Sequence, residues 1–251
     1  MTFEAFAHRL KEEAHKRNHA EEISVNRPDP LMIASRYNDE FSALVCALFA
    51  YGNVPAIIKF LESLDFSLLD ADERMIEQVL AQHYYRFQSA KDIQALFITL
   101  SRLKKEVGSL EPIFLSSYQK NSNVMDGLRE LISYLYDMNS YRSRGYQFLL
   151  GTIPPTNPHS PYKRWHMYLR WMVRKDHLDL GLWRGVDTKD LLVPLDTHTF
   201  ALGKKWGLIQ RKSYDFKAVL ELSHALQKID PSDPVKYDFA LYRLGQEKII
   251  L

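Results

Sequence analysis

Cysteine is almost absent from this chain: there is one, Cys46, in 251 residues. A lone cysteine can neither close an internal disulfide nor supply the thiolate set of a zinc or iron–sulfur site. It lies inside the apolar run ALVCALFAYG and reads as a buried, inert thiol of a reducing compartment. Long apolar runs are missing too. None approaches the roughly 20 residues that span a bilayer, and the start MTFEAFAHRLKEEAHKRNHAEE is too charged for a secretory leader. A cytoplasmic protein with no membrane partner is therefore expected. Strand signals are scarce, with no sustained alternation and no Asn-Gly turn. Charge of one sign is also lacking: 33 Lys and Arg against 31 Asp and Glu leave a net +2. A balance that small announces no polyanion partner, so any nucleic-acid surface has to come from local clustering. No internal repeat or low-complexity segment is visible.

What the chain does have is an ordinary globular composition, 46% hydrophobic and 25% charged, with length for one larger domain or two lobes sharing a core. Helical periodicity dominates. It predicts an all-α fold, with helices in FEAFAHRLKEEAHKRN, EFSALVCALFAYG, VPAIIKFLESL, DERMIEQVLAQHYY, SAKDIQALFITLSRLKKEVG, PIFLSSYQ and VMDGLRELISYLYDM. GTIPPTNPHSP is the clearest loop. A further helix is expected in SPYKRWHMYLRWMVRKDHLDLGLW, with Ser160 as N-cap, Pro161 at the first helical position and Lys163 in the first turn. Tyr162, Trp165, Leu169, Met172 and Val173 form its apolar stripe, and Lys163, Arg164, Arg170, Arg174 and Lys175 add positive charge. RGVDTKDLLVP reads as an irregular connection. Asp196 then opens a helix that Gly207 closes, SYDFKAVLELSHALQKI is another helix, and DPVKYDFALYRLGQEKIIL ends the chain.

Two residues bear chemistry. Asp196, as an N-cap, would accept hydrogen bonds from the amides of His198 or Thr199; it is either a plain cap or a carboxylate held ionised and aimed. A lysine amine attacks only when neutral, and the positive end of a helix, neighbouring arginines and burial all favour that form. Lys163 has each of these on offer, although a lysine is usually a solvated surface charge. Together, a neutral amine and a carboxylate suit attack at an electrophilic carbon carrying developing positive charge. The anomeric carbon of a nucleoside is such a centre. Two other features are weaker. His15 and His19 are four apart on a helix but have no evident third metal ligand. YLYDMNSYRSRGYQF interleaves Arg and Tyr, which suits phosphate contact and stacking or simply the edge of a packed helix.

VPLDTHTFALGKKWGL, residues 193–208, resembles the Val-Pro-Val-Asp-Thr-His…Arg-Leu-Gly-Leu signature of the helix-hairpin-helix superfamily of base-excision DNA glycosylases, in which the Asp is catalytic. DPLMIASRYNDEFSALVCALFAYG is similar to that superfamily's first core helix. The common bifunctional branch carries its nucleophilic lysine in a Gly-x-Gly-x-Lys hairpin about one helix before the Asp. GVDTK imitates that hairpin, with Asp187 for the second glycine, but Lys189 stands too close to Asp196 for a helix to intervene. Lys163 leaves room for a long helix and a connection. That arrangement resembles the archaeal GO glycosylase branch, which excises 8-oxoguanine and has a diverged hairpin. DPVKYDFALYRLG is similar to that branch's last core helix, where an Asp and, four residues later, a Trp line the base pocket. Asp238 and Tyr242 hold those places here, the tyrosine being a smaller ring with a hydroxyl. The whole chain is also similar to a bacterial family of proteins with a domain of unknown function, taken here as a relative of the archaeal branch.

The resemblance implies a single glycosylase-like unit over residues 1–251, built of two helical lobes, with loop 151–160 preceding the catalytic helix. It implies a monomeric base-excision repair glycosylase with β-lyase activity. Its partner is double-stranded DNA containing a damaged base whose nucleotide is flipped out, and 8-oxoguanine is removed through a Lys163 Schiff base supported by Asp196. Asp238 and Tyr242 would hold the base, and Arg164, Arg170, Lys204 and Lys205 the phosphates. No metal and no cofactor is implied. Two rivals stay open: a monofunctional glycosylase for alkylated bases in which Asp196 activates water, and a helical DNA-binding module without chemistry.

Overall fold

Side-chain caps set most of the helix starts, as the sequence pattern requires. The computed structural model describes residues 2–247. Among these the chain is carried by thirteen α-helices and short 3₁₀ turns, with only isolated β-bridges; the protein is all-α. It divides into two compact units, residues 28–155 and residues 1–27 with 156–251. The division falls inside the loop expected at 151–160.

Helix α1 (Phe3–Arg17) belongs to the discontinuous unit. The unit of residues 28–155 contains α2 (Leu31–Tyr37), α3 (Glu40–Leu48), α4 (Val54–Glu62), α5 (Glu73–Val79), α6 (Ala90–Val107), α7 (Glu111–Asn121), α8 (Val124–Asp137) and α9 (Arg144–Leu150). Its core is α3, buried at every residue from Phe41 to Leu48. Burial there pushes the Cys46 thiol far up, so it stays protonated and unreactive. Helix α6 starts at a reciprocal cap, Ser89 accepting from the Asp92 amide and Asp92 from the Ser89 amide. It stops at Gly108, whose φ of 73° suits glycine.

The discontinuous unit adds α10 (Lys163–Val173), α11 (Thr197–Lys205), α12 (Phe216–Gln227) and α13 (Asp238–Gln246). Helix α13 packs on α1 and α11. The approach to α11 depends on Gly245, where a Cβ would lie 2.9 Å from Cβ of His198. Helix α11 is closed by Gly207 at φ 73°, as expected from the sequence.

Three expected helices end early. EFSALVCALFAYG is helical only to Leu48, and a turn through Gly52 (φ 105°) follows. DERMIEQVLAQHYY is helical to Val79, after which Tyr85 and Gln88 pair across a tight turn. SPYKRWHMYLRWMVRKDHLDLGLW is helical from Lys163 to Val173. There the carbonyl of Trp171 accepts from the amides of Leu180 and Gly181, and that of Met172 from Trp183. The Asp176 side chain takes the amides of Leu178 and Asp179. Such local Asp bonding competes with helix propagation, and the chain folds back on α10.

Candidate active site

Asp196 lies where the capping pattern put it. It precedes α11 with extended backbone, and its Oδ1 accepts from the Thr199 amide at 2.7 Å. Lys163 is the first residue of α10 rather than its third. The residue before it, Tyr162, is buried in the left-handed region at φ 46°, ψ 34°. That conformation is costly for a non-glycine residue, and here it turns the chain into the helix in place of the Ser160 cap. The Lys163 Nζ then stands 3.8 Å from Asp196 Oδ2, with the lysine side chain 33% exposed and the aspartate 10%. Each residue sits at the N-terminal end of a helix.

Asp238 opens α13 and is buried. Its Oδ2 accepts from the Arg170 guanidinium at 2.5 Å. Burial pushes its carboxyl up to about 6, against the pull of Arg170; the charge on Asp196 pushes the same way and that on Lys163 opposes it. Lys163, Asp196 and Asp238 thus form one electrostatic cluster, assembled from α10, α11 and α13. Tyr242 is one helical turn beyond Asp238, half-buried, and its hydroxyl accepts from Nε2 of Gln246 at 2.6 Å. Neither Lys236 nor Arg243 pairs with Asp238: Lys236 reaches Asp230, and Arg243 reaches Glu22.

The phosphate-gripping role expected of Arg170 is not met. Arg170 is buried and its guanidinium is held between Asp179 and Asp238, so its charge is neutralised inside the unit. Arg174 continues the network to Asp176, Asp179 and Asp233. Burial works against its charge, but these carboxylates hold the guanidinium raised. Arg164 is half-exposed beside Lys163, and Lys204 and Lys205 are exposed in the last turn of α11. Lys204 lies 5.5 Å over the Phe200 ring. Lys189 is on the surface with Asp187, 3.0 Å away.

Sequence reasoning missed Tyr214, Asp179, Asp233 and His166. The Tyr214 hydroxyl donates to the Leu195 carbonyl at 2.6 Å, next to Asp196. Burial, then the charge on Asp196, pushes its phenol up to about 12, so it remains a donor. Asp179 and Asp233 carried no motif. His166 is fully buried against Phe216, neither ring nitrogen has a hydrogen-bond partner, and burial drives its pKa down to about 3. A cavity of about 320 Å³ lies among α1, α10 and α13, lined by Arg170, Arg174, Phe239 and others but by none of Lys163, Asp196, Asp238 or Tyr242. Among the described residues no group of three or more His, Cys, Asp or Glu is placed to hold a metal, and His19 instead lies beside Glu21 and Glu22. No described helix is long and apolar enough to cross a membrane.

The starts of α10 and α11 thus set a half-exposed lysine amine against a buried, amide-held carboxylate. The chain matches the model of a family described as protein of unknown function (DUF2400) over residues 29–247. It belongs to that family, and the matched stretch contains every residue of the cluster. No curated protein and no solved structure matches the chain.

Proposed function

We propose that the protein is a base-excision DNA glycosylase with β-lyase activity, of the helix-hairpin-helix kind with a diverged hairpin, that removes 8-oxoguanine from duplex DNA. The observation that carries the reading is the 3.8 Å separation of Lys163 Nζ and Asp196 Oδ2, two residues far apart in sequence that enter at two helix starts. The target nucleotide has to leave the stack before its sugar carbon can be reached. After losing a proton, the Lys163 amine attacks C1′ of that nucleotide. The bond from C1′ to the base breaks, and the base departs with the bonding pair and takes up a proton. Opening of the C1′–O4′ bond gives the Schiff base, and loss of a C2′ proton then expels the 3′ phosphate. Asp196 stabilises positive charge at C1′ and stands where it can take the lysine's proton. Asp238 and Tyr242 serve the base, the carboxyl by accepting from its amide-like donors and the ring by stacking. Arg164, Lys204 and Lys205 serve the phosphates.

Borohydride trapping on duplexes containing 8-oxoguanine tests the assignment. The wild type should give a protein–DNA adduct, Lys163→Gln none, and Lys189→Gln a normal yield. Loss of the adduct in Lys189→Gln alone moves the nucleophile. Strand nicking that needs added alkali, with no adduct, identifies the monofunctional rival. No base release from any damaged duplex leaves only a DNA-binding module.

A further inference from the structure

In the unit of residues 28–155, three segments converge on a face that the chemistry above does not use. The turn of residues 84–88 is closed by reciprocal backbone hydrogen bonds between Tyr85 and Gln88 at 3.2 and 2.9 Å. The Tyr85 hydroxyl donates to the Tyr51 carbonyl at 2.5 Å. The Gln88 side chain accepts from the Tyr51 hydroxyl and donates to the Gly145 carbonyl at 3.4 Å. Arg86 has φ 57° and lays its guanidinium 5.8 Å over the Tyr51 ring. Gly52 makes room for it, since a Cβ there would meet the Arg86 guanidinium at 2.9 Å. These bonds hold Phe87 outward. Its ring stands 6.0 Å from Tyr51 and 4.8 Å from Phe148, yet 56% of Phe87 and 75% of Tyr84 remain exposed. A rigid turn therefore presents two large rings to solvent, an arrangement that hydrophobic burial alone does not produce.

The segments that build this face carry exposed charge of one sign. Residues 49–60, 78–91 and 138–157 contain no Asp or Glu. They carry Lys59, Arg86, Lys91, Arg142 and Arg144, all exposed, and Arg144 is one turn from Phe148 on α9. With the one carboxylate bonded into these segments, Asp92, buried, an aromatic platform on segments whose exposed charges are basic is complementary to a polyanion whose repeating units have flat faces. In a duplex those faces are stacked on each other; in an unpaired strand they are available to side chains. We infer that this face binds single-stranded DNA, with bases stacked on Phe87 and Tyr84 and phosphates met by Arg86 and Arg144. The inference uses only residues of the unit 28–155 and does not depend on the lyase reading.

Fluorescence anisotropy with a labelled, undamaged oligothymidylate of about 15 nucleotides tests this on the full-length chain in the Lys163→Gln background, where no covalent adduct can form. Phe87→Ala should weaken binding by about 5- to 100-fold, the loss of one base–ring stack. Phe87→Leu, apolar but without a flat face, should weaken it similarly, and Phe87→Trp should retain it. Arg86→Ala should lower the slope of log affinity against log salt by about 0.7. Because Phe87 is largely exposed, melting temperatures should stay level, and the Leu–Trp contrast decides even if the alanine variant is unstable. Failure of the parent to bind the strand, or equal affinity of Phe87→Leu and Phe87, overturns the inference. Absence of nicking on lesion duplexes alongside normal strand binding sinks the glycosylase reading and leaves this one standing.

Discussion

The Thr199 amide occupies one oxygen of Asp196, and Lys163 faces the other. The cap fixes the carboxylate while leaving its free edge to the amine, so a structural and a catalytic duty fall on different atoms of one residue. Asp196→Asn preserves the cap and removes the charge. If transition-state electrostatics is its function, turnover on lesion duplex should fall by on the order of 100-fold with lesion-DNA affinity little changed. Single-turnover kinetics alongside a binding titration separates the two, and near-normal turnover would reduce Asp196 to a cap. The cap was legible in the sequence, because an Asp before Thr-His-Thr has a local mechanism. That Lys163 meets it was not: composition and periodicity leave a lysine on a surface, and the two were paired by the chemistry they could do together and by the resemblance, not by any local signal. Arg170 was misread for the opposite reason. Its neutralising partners, Asp179 and Asp238, lie on other segments, and nothing local to RWHMYLRWMV reveals that its arginine points inward.

Among the elements, those whose ends are written as side-chain caps or glycine stops were readable: α1 behind Thr2, α6 between Ser89 and Gly108, α11 between Asp196 and Gly207. The end of α10 was not, because it is imposed by the returning strand of backbone at Leu180–Trp183, a tertiary event. The packing of α13 on α11 is what joins Asp238 and Tyr242 to Asp196, and Gly245 is its closest point. Gly245→Ala has to push against Cβ of His198, not a movable side-chain tip. It should cost about 1–3 kcal/mol in urea unfolding, as overpacking does, and reduce lesion nicking more than the stability loss explains. Gly108→Ala provides the contrast. Its Cβ meets open space but its φ of 73° is strained for alanine, and it caps a helix of the other unit. It should lower the melting temperature while nicking of the folded protein holds. Equal effects of both on nicking per folded molecule would remove the α11–α13 junction from the mechanism.

Over the whole molecule, two buried groups set opposing pH dependences of stability. His166 is held near 3, below its ordinary value of 6.5, by burial. Between those values the unfolded chain binds the extra proton, so this contribution is complete above about 6.5 and is lost as pH falls. Asp238 is held near 6, above its ordinary 3.8, by burial. Between those values the folded chain binds the extra proton, so its contribution is complete below about 3.8 and is lost as pH rises through 6. Each slope is at most about 1.4 kcal/mol per pH unit, and in the overlap from about 4 to 6 they cancel. The cancellation can be taken apart. Relative to wild type, His166→Phe should gain stability as pH is lowered from 6.5 to 4, because it no longer has a ring that must stay uncharged. Asp238→Asn leaves Arg170 with one carboxylate fewer and starts from a lower baseline, but relative to wild type it should gain as pH is raised from 4 to 6.5. Urea midpoints at half-unit intervals, taken as differences from wild type so that the other carboxylates drop out, give the two slopes. Slopes of the same sign would mean that one of these groups is not buried as the packing of α10, α12 and α13 requires.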